Sequence, residues 1–458
     1  MKNNIKVALF FLFVCVGFSL SICNIFSSYN GLLWASGLSL VSAIIIFVVF
    51  FKMNKLLPLF FSLLFSIGYL IRGVIVGLNP SLLDDLCPKA PDELCFSFTV
   101  GLIGWFMFVL GALITGRPKR LECKYTYGKK YIIITNCLII VGLFSRAVHQ
   151  AYSNSSFSST FLGQLSTIGF ICMLSRLVVA RKEEAKYIWA IIFIYSGLGL
   201  LSGQRAACFL PIIAVIICSI LIEGQFKPKK LILNLGTVIL LFVVSYPFLT
   251  QVKLVMSKQR VDAVGKERVT LAQDVMTSIE MKQDMPDGNV LTAFSSSILA
   301  VSKRMSHLEI GAVSVIRGVE RWGFLGGRSF YHSLIQFIPR KIWKNKPFIG
   351  FGEEVYYLQY GNRFGAATVP IAVDFFMNFG FVSLIIGMAV VGYIYSLLNN
   401  IVIEKPSPFG IAYLSVIAFD LAYSGRGIPW SVFVIASYGM VCYFLARICK
   451  IRTQSVGM

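Results

Sequence analysis

Charged residues are scarce in this chain of 458 amino acids. They make up 14% of the sequence, against about 25% in typical soluble domains. Hydrophobic residues reach 57%, and the mean hydropathy is +0.76. A soluble protein with this few charges would lack a polar surface. A soluble enzyme, a disordered scaffold and a coiled coil are therefore excluded. The composition predicts an all-α polytopic membrane protein.

Several chemistries lack the residues that they need. The three histidines, His149, His307 and His332, are too few for a His-rich metal centre, and no His, Cys and Asp set has metal-ligand spacing. A P-loop, a dinucleotide fingerprint and a Gly-x-Ser-x-Gly elbow are absent from the sequence. We therefore expect no metal and no cofactor. No internal repeat is visible, which argues weakly against the transporters that are built on repeats.

Twelve apolar stretches approach or reach the length of about 17–25 residues that a transmembrane helix needs. They are predicted at residues 7–23, 31–51, 56–78, 96–115, 131–148, 161–180, 187–202, 206–222, 231–250, 381–398, 409–423 and 430–445. The eleventh is short, which fits a tilted or broken helix. The first follows Lys2 and Lys6 as a signal peptide would, but no convincing cleavage site follows it, so we interpret it as a span.

The basic excess, 42 Lys and Arg against 21 Asp and Glu, is concentrated in alternate loops. Basic residues cluster at 52–55, 117–130, 181–186, 227–230 and 447–452. The intervening loops at 24–30, 79–95 and 150–160 contain one lysine, Lys89. Because short cytoplasmic loops are enriched in Lys and Arg, both ends of the chain are predicted to be cytoplasmic.

This topology divides the chain into three parts. Residues 1–250 hold spans one to nine, and residues 381–458 hold spans ten to twelve and a cytoplasmic tail. Residues 251–380 form one large periplasmic loop, and a connection of this length is usually functional. Apolar stretches within it, such as 291–301 and 330–342, predict amphipathic helices at the membrane surface. We interpret 348–367 as an ordered loop and 371–378 as a candidate re-entrant segment.

Two cysteines differ from the others, which are mostly scattered through the spans. Cys87 and Cys95 both fall in the second periplasmic loop, eight positions apart. In an oxidising compartment they would form a disulfide. The alternative is a pair of free thiols close to the membrane surface.

Arginine residues also lie near the predicted periplasmic face. Arg72 and Arg146, at the outer ends of spans three and five, are expected to extend to the interface or to face a partner. Arg205 and Arg426 stand at two outer turns, among glycine and other small residues. Each of these two either anchors the chain to lipid phosphate or binds a ligand above the membrane.

The large loop contains the main basic cluster. If its segments are helical, Arg317 and Arg321 share a face, as do Arg328 and His332. Arg is suited to bidentate binding of phosphate oxygens, so a convergence of Arg at this face indicates a phosphorylated substrate presented from the bilayer. A solvated or lipid-binding basic face is the alternative. The full set comprises Arg304, His307, Arg317, Arg321, Arg328, His332, Arg340, Lys341, Lys344, Lys346 and Arg363.

Carboxylates are rare on this side, so each is a candidate general base. Glu353 and Glu354 lie in a glycine-rich stretch, and Asp374 and Asp420 lie in apolar segments. For Asp374 and Asp420, a buried ion pair with an arginine is the alternative.

Three stretches together resemble the Wzy-type O-antigen polymerases, which assemble oligosaccharide repeat units at bacterial surfaces. They are Gly203-Gln204-Arg205, the run from Gly326-Gly327-Arg328 through His332 to Pro347, and Val373-Asp374 through Gly380. The plan of about twelve spans with one large periplasmic loop late in the chain, which is GT-C-like, covers the whole length. Similar arginine corners occur in O-antigen ligases.

The resemblance implies a glycosyltransferase in the bacterial inner membrane that needs no nucleotide sugar and no nucleic acid. Its partners would be an undecaprenyl-pyrophosphate-linked donor, a lipid-linked acceptor and membrane lipids. Whether a chain-length regulator also binds is left open. Arg205, Arg328 and Arg340, then Arg317 and Arg426, would bind the pyrophosphate. His332 and Glu353, then Asp374, would serve as the base.

Three other functions compete with polymerisation. An O-antigen ligase would transfer finished glycan from the same donor to lipid A core, and the sequence does not show the acceptor. A lipid-linked oligosaccharide flippase should have charges along a pathway within its spans and short outer loops, whereas here the unexplained charges lie mainly in one long loop. A non-catalytic component of an assembly complex would tolerate loss of single arginines.

Overall fold

The computed structural model describes residues 2–83, 90–119, 123–151, 156–200, 205–223, 307–338, 342–347, 352–360, 367, 369–423, 427–449 and 452–455. These residues are helical apart from their connections and one two-stranded ribbon. Eight of the described helices are long and apolar enough to cross a membrane. The prediction of an all-α polytopic membrane protein is confirmed in this coarser form. Predicted span 231–250 lies outside the described residues.

The chain divides into two compact units, residues 1–128 with 302–458, and residues 129–301. The first unit contains α1 (Lys2–Ile25), α2 (Tyr29–Lys52), α3 (Leu56–Phe65), α4 (Arg72–Leu78), α5 (Pro91–Ile114) and β1 (Cys123–Thr126). The second unit contains α6 (Lys129–Ala151), α7 (Ser156–Val179), α8 (Lys182–Leu200) and α9 (Arg205–Glu223). The first unit continues with α10 (His307–Ala312), α11 (Val319–Trp322), α12 (Arg328–Ile335), α13 (Gly352–Tyr360), α14 (Ile371–Glu404), α15 (Pro408–Tyr423), α16 (Gly427–Cys449) and β2 (Arg452–Ser455).

Two π-helical segments interrupt the first unit. The third predicted span, 56–78, is α3, a π-helix at Ser66–Ile71 and α4 in direct succession. A second π-helix, Val313–Gly318, joins α10 to α11. Such segments widen the helical turn and occur frequently at functional sites. Hydropathy does not reveal them, because they leave the apolar character of the segment unchanged.

Helices α5 and α14 pack backbone to backbone through glycine. A Cβ on Gly111 would lie 1.9 Å from the Ala389 carbonyl oxygen, and one on Gly392 would lie 2.0 Å from that of Phe108. Small residues allow this close approach, which is a common way for helices to associate within a bilayer. The packing fixes α14, which contributes the central side chain of the site described below.

Helix α14 is kinked near its first third. Phe379 and Gly380 leave helical geometry, with φ/ψ values of −145°/31° and 65°/−146°. Glycine tolerates the positive φ at little cost, which explains the position of the kink. The predicted re-entrant segment 371–378 and the predicted span 381–398 are therefore the two arms of one bent helix.

A short antiparallel ribbon joins two basic stretches. Residues of β1 pair with those of β2, with Cys123 opposite Ser455 and Thr126 opposite Arg452. The strands follow α5 and α16, so these two helices end on the same side of the unit. The ribbon was not predicted, and the side of the membrane on which both stretches lie stays a prediction.

The second unit, in its described part, is a bundle of four helices. Helices α6 and α7 approach closely where a Cβ on Gly142 would lie 2.6 Å from the Gly169 Cα. The hydroxyls of Ser166 on α7 and Tyr195 on α8 are 2.7 Å apart. Arg146 lies over the Tyr195 ring at 4.5 Å, so it faces a partner within the unit rather than extending freely to the interface.

Two expectations for the large loop can be compared with the structure. The amphipathic helix predicted at 330–342 is confirmed over residues 330–335, as part of α12, whereas residues 336–338 form a turn and a bend. The ordered loop predicted at 348–367 is wrong in part, because residues 352–360 form α13. Gly352 is the first residue of this helix, and residues 353–360 contain neither glycine nor proline, the two residues that least favour a helix. Residues 251–306 lie outside the described part of the chain.

Candidate functional site

Helix α12 presents its polar side chains to the protein interior. Ser329, His332 and Ser333 are buried, whereas Tyr331 and Leu334 are exposed. In a helix surrounded by water this pattern would be reversed. It is the arrangement expected where the outward face meets lipid.

Asp374, on the first turn of α14, is the centre of a hydrogen-bond network. Its Oδ1 accepts hydrogen bonds from the Ser329 hydroxyl and, at 3.3 Å, from Asn378 Nδ2. Its Oδ2 accepts one from the backbone amide of Ile428, at 2.7 Å. The carboxylate is buried, and both oxygens are engaged. It therefore joins α12, α14 and α16 at one point.

Asn378 extends the network one helical turn further. Its Oδ1 accepts from the Ser329 amide at 3.3 Å, and its Nδ2 donates to the Asp374 carbonyl at 2.7 Å. The loop before α12 is attached to the same turn, since the Leu325 and Gly326 amides donate to the carbonyls of Met377 and Asn378 at 2.8 and 3.1 Å. The stretch around Arg328 is thus fixed against the stretch around Asp374.

The turn that begins α16 closes the site. Gly427 has a φ of 63°, and a Cβ at this position would lie 2.4 Å from Asp374 Oδ2. Glycine is therefore required both for the backbone conformation and for the space. A further bond joins the two helices where Gln336 Nε2 donates to the Pro429 carbonyl at 2.6 Å.

Arg328 and His332 are the two basic side chains of α12. They lie one turn apart on α12, as predicted, with Arg328 exposed and His332 buried. Burial, and then the Arg328 charge, lower the pKa of His332. The imidazole is therefore neutral at pH 7 and can accept a proton. The arrangement supplies an exposed cation beside a neutral base, with Asp374 as a fixed anchor.

The observed contacts of Asp374 anchor three helices, and its role as a general base stays a prediction. Within the described residues the carboxylate accepts from a hydroxyl, an amide nitrogen and a backbone N–H, and the alternative ion pair with an arginine is not seen there. These three bonds engage both carboxyl oxygens without a cation. Ser329, Asn378 and Gly427 were not singled out, although Asn378 follows Asp374 by one helical turn in the sequence.

The other predicted site residues lie away from Asp374 in the sequence, and several are only partly described by the structure. Arg317 lies on the π-helix before α11 and Arg321 lies on α11, so the two belong to different helical segments, and their shared face stays a prediction. Arg321 lies over the Tyr357 ring at 5.6 Å. Arg205 begins α9 in the second unit, and Glu353 lies in α13, but the side chains of both lie outside the described residues. Arg340 and Arg426 lie outside them entirely, and Asp420 lies in α15 with its side chain outside them.

Residues 95–414 match the family described as a domain of unknown function (DUF8712). The chain belongs to the DUF8712 family. The match includes α12 and the Asp374 turn of α14, and it ends before the Gly427 turn. No curated protein and no solved structure matches the chain.

The DUF8712 match begins at Cys95, for which we predicted a disulfide with Cys87. Cys95 is a buried residue of α5, and its thiol lies against the Cys23 thiol and, at 3.8 Å, the Ser28 carbonyl. Cys87 lies outside the described residues. The predicted disulfide stays a prediction, and Cys23 is a second candidate partner that the spacing of cysteines in the sequence did not suggest.

The DUF8712 chain also contains a buried ion pair that sequence reasoning missed. Arg72 Nε donates to Glu309 Oε1 at 2.9 Å, and a second guanidinium nitrogen donates to the same oxygen and, at 3.0 Å, to the Leu82 carbonyl. Both side chains are shielded from solvent. Of the two expectations for Arg72, a partner is confirmed and extension to the interface is wrong, because Glu309, 237 positions away, provides a buried partner.

Proposed function

We propose that this chain is a membrane glycosyltransferase of the Wzy type. It would polymerise undecaprenyl-pyrophosphate-linked O-antigen repeat units at the periplasmic face of the bacterial inner membrane. The proposal includes twelve spans with both termini in the cytoplasm. One observation carries it: the stretch around Arg328 and the stretch around Asp374, which hold two of the three resemblances to these polymerases, are hydrogen-bonded into one site.

The geometry suggests a division of roles. Arg328 is exposed at the start of α12, where a lipid-linked pyrophosphate can reach it, and it would stabilise the charge that develops on the leaving group. Arg340 and Arg426, which lie close in sequence to α12 and to the Gly427 turn, would add positive charge. Arg205 and Arg317 complete the proposed pyrophosphate-binding set.

Transfer requires that one sugar hydroxyl be activated. The acceptor hydroxyl oxygen would bond to the donor's anomeric carbon as the bond from that carbon to the pyrophosphate oxygen breaks. His332 would take the hydroxyl proton, since its lowered pKa keeps the imidazole neutral at pH 7. Asp374 would act as a positioning residue that holds α12 in place, and Glu353 is the alternative base.

The decisive experiment is a gel of surface glycan from a strain that lacks this gene. A single repeat unit on lipid A core would mean that ligation continues and polymerisation is lost, as proposed. Unmodified core with glycan retained on the lipid carrier would instead indicate a ligase or a flippase. The side of the membrane on which that lipid accumulates would separate these two.

Complementation with point variants then tests the site. We expect Arg328→Ala and Arg205→Ala to restore no polymer at normal membrane abundance. Arg447→Ala is the matched control, because Arg447 is exposed near the opposite end of α16 from the Gly427 turn. Full-length glycan from the Arg328 and Arg205 variants would contradict the pyrophosphate assignment.

A further inference from the structure

A small cavity lies beside the start of α14. It has a volume of about 30 Å³ and is lined by aromatic rings, including those of Phe65, Tyr69 and Trp105. His307, the N-cap residue Pro370 and the first two residues of α14, Ile371 and Ala372, also line it. A water molecule needs roughly 10–15 Å³ measured in this way, so the space suits a monoatomic ion or about two waters.

Two buried donors, on residues that line the cavity, have no hydrogen-bond partner within the described part of the chain. Tyr69 is 1% exposed and Trp105 is 0% exposed. Neither the Tyr69 hydroxyl nor Trp105 Nε1 bonds to any residue that the structure describes. A buried polar group without a partner is costly, so such groups normally indicate a bound molecule or ion. Both residues line the same cavity.

The beginning of α14 adds further donors. This helix has 34 residues, its N-cap is Pro370, and that residue provides no side-chain hydrogen bond to the first turn. The first amides of a helix have no acceptor within the helix, and the helix dipole places partial positive charge there. Backbone N–H groups at a helix start form a ready site for an anion.

The balance of donors and acceptors favours an anion over water. An indole N–H can only donate, and so can the free amides of a helix start. A bound water must also donate two hydrogen bonds of its own. The side chains of the wall offer strong acceptors for them only at the Tyr69 oxygen and at one nitrogen of His307, and both of these groups can instead donate to an anion. Burial lowers the pKa of His307 to about 4, so at pH 7 the imidazole is neutral and can donate one N–H.

We propose that this cavity binds one small monoatomic anion, of the size of chloride. The ion would accept hydrogen bonds from Tyr69, Trp105 and the first turn of α14. It would thereby connect the π-helix that contains Tyr69 to the helix that carries Asp374. Phosphate and sulfate are too large for a cavity of about 30 Å³. This proposal is independent of the glycosyltransferase assignment.

Radiochloride binding to the purified wild-type protein in detergent, at constant ionic strength, provides the first test. We expect about one chloride per chain, displaced by bromide and not by sulfate. The absence of binding above background would mean that the cavity holds water only and would overturn the proposal.

Variants then assign the site. Trp105→Phe and Tyr69→Phe each remove one polar atom and keep the ring, and both should weaken chloride binding at least tenfold. Trp34→Phe, at a tryptophan that is 70% exposed on α2, is the matched control and should bind as the wild type does. Wild-type affinity in both cavity variants would place the ion elsewhere and refute this site.

A thermal measurement on the wild type complements the variants. Chloride and bromide should raise the melting temperature by a few degrees, to a plateau, when they replace gluconate in a chloride-free buffer. An identical rise with sulfate would show a general salt effect and would contradict a specific monoatomic site.

Discussion

The Gly427 backbone lies so close to the Asp374 carboxylate that a Cβ on Gly427 would be 2.4 Å from Oδ2. The next amide, that of Ile428, donates to the same oxygen at 2.7 Å. The start of α16 is therefore shaped around a carboxylate carried by α14. Because Ser329 bonds to the other oxygen, this contact also determines where α12, and with it Arg328, is held.

Substitution of Gly427 tests whether this contact supports function. Gly427→Ala should abolish polymerisation and lower the free energy of unfolding by about 2–4 kcal/mol, from strain at positive φ and from the clash with Asp374. Gly323→Ala is the matched control, since Gly323 has a φ of 67° with no atom within 4 Å of an added Cβ. Unfolding in detergent and the glycan gel measure the two effects. Equal losses in both variants would show that strain alone, and not the Asp374 contact, matters.

The sequence allowed the membrane class, most of the described spans and the helix at Arg328 to be predicted, because these depend on local hydrophobicity. It also singled out Asp374 as an unusual charge in an apolar segment. It could not show that Ser329 and Ile428 would meet this carboxylate, since those contacts join residues 45 and 54 positions apart. Arg72 and Glu309 are a more distant case, because no spacing rule connects a span to a helix 237 positions later.

The Asp374 network should behave as one unit. Asp374→Asn and Ser329→Ala should each lower the free energy of unfolding by about 1–3 kcal/mol, because each leaves buried polar atoms poorly paired. The double variant should lose less than the sum, with a coupling energy of roughly 1 kcal/mol or more. Ser437→Ala, which removes only a bond to the Phe433 carbonyl within α16, should change it by less than about 0.5 kcal/mol. Strict additivity in a double-mutant cycle would contradict the network.

The Arg72–Glu309 pair predicts an asymmetry between single and double substitutions. Arg72→Met or Glu309→Leu alone leaves a buried charge without its partner and should cost about 3–5 kcal/mol. The combined variant removes both charges and should be more stable than either single variant. Lys186→Ala, at an exposed pair with Glu183, should change stability by less than about 1 kcal/mol. Melting curves in detergent distinguish these cases, and a double variant less stable than both singles would exclude this explanation.

His307 predicts how stability depends on pH. Burial lowers its pKa from 6.5 to about 4, so the unfolded chain takes up a proton at a higher pH than the folded one. Stability therefore falls as the pH decreases from about 6.5 towards 4, by up to about 3 kcal/mol from this group. His307→Phe keeps a ring against Tyr69 and removes the titration. The difference in melting temperature between wild type and variant, measured from pH 7.5 to pH 4.5 at one chloride concentration, should shift in favour of the variant as the pH falls. A difference that stays constant across this range would show that the His307 imidazole titrates alike in the folded and unfolded chain.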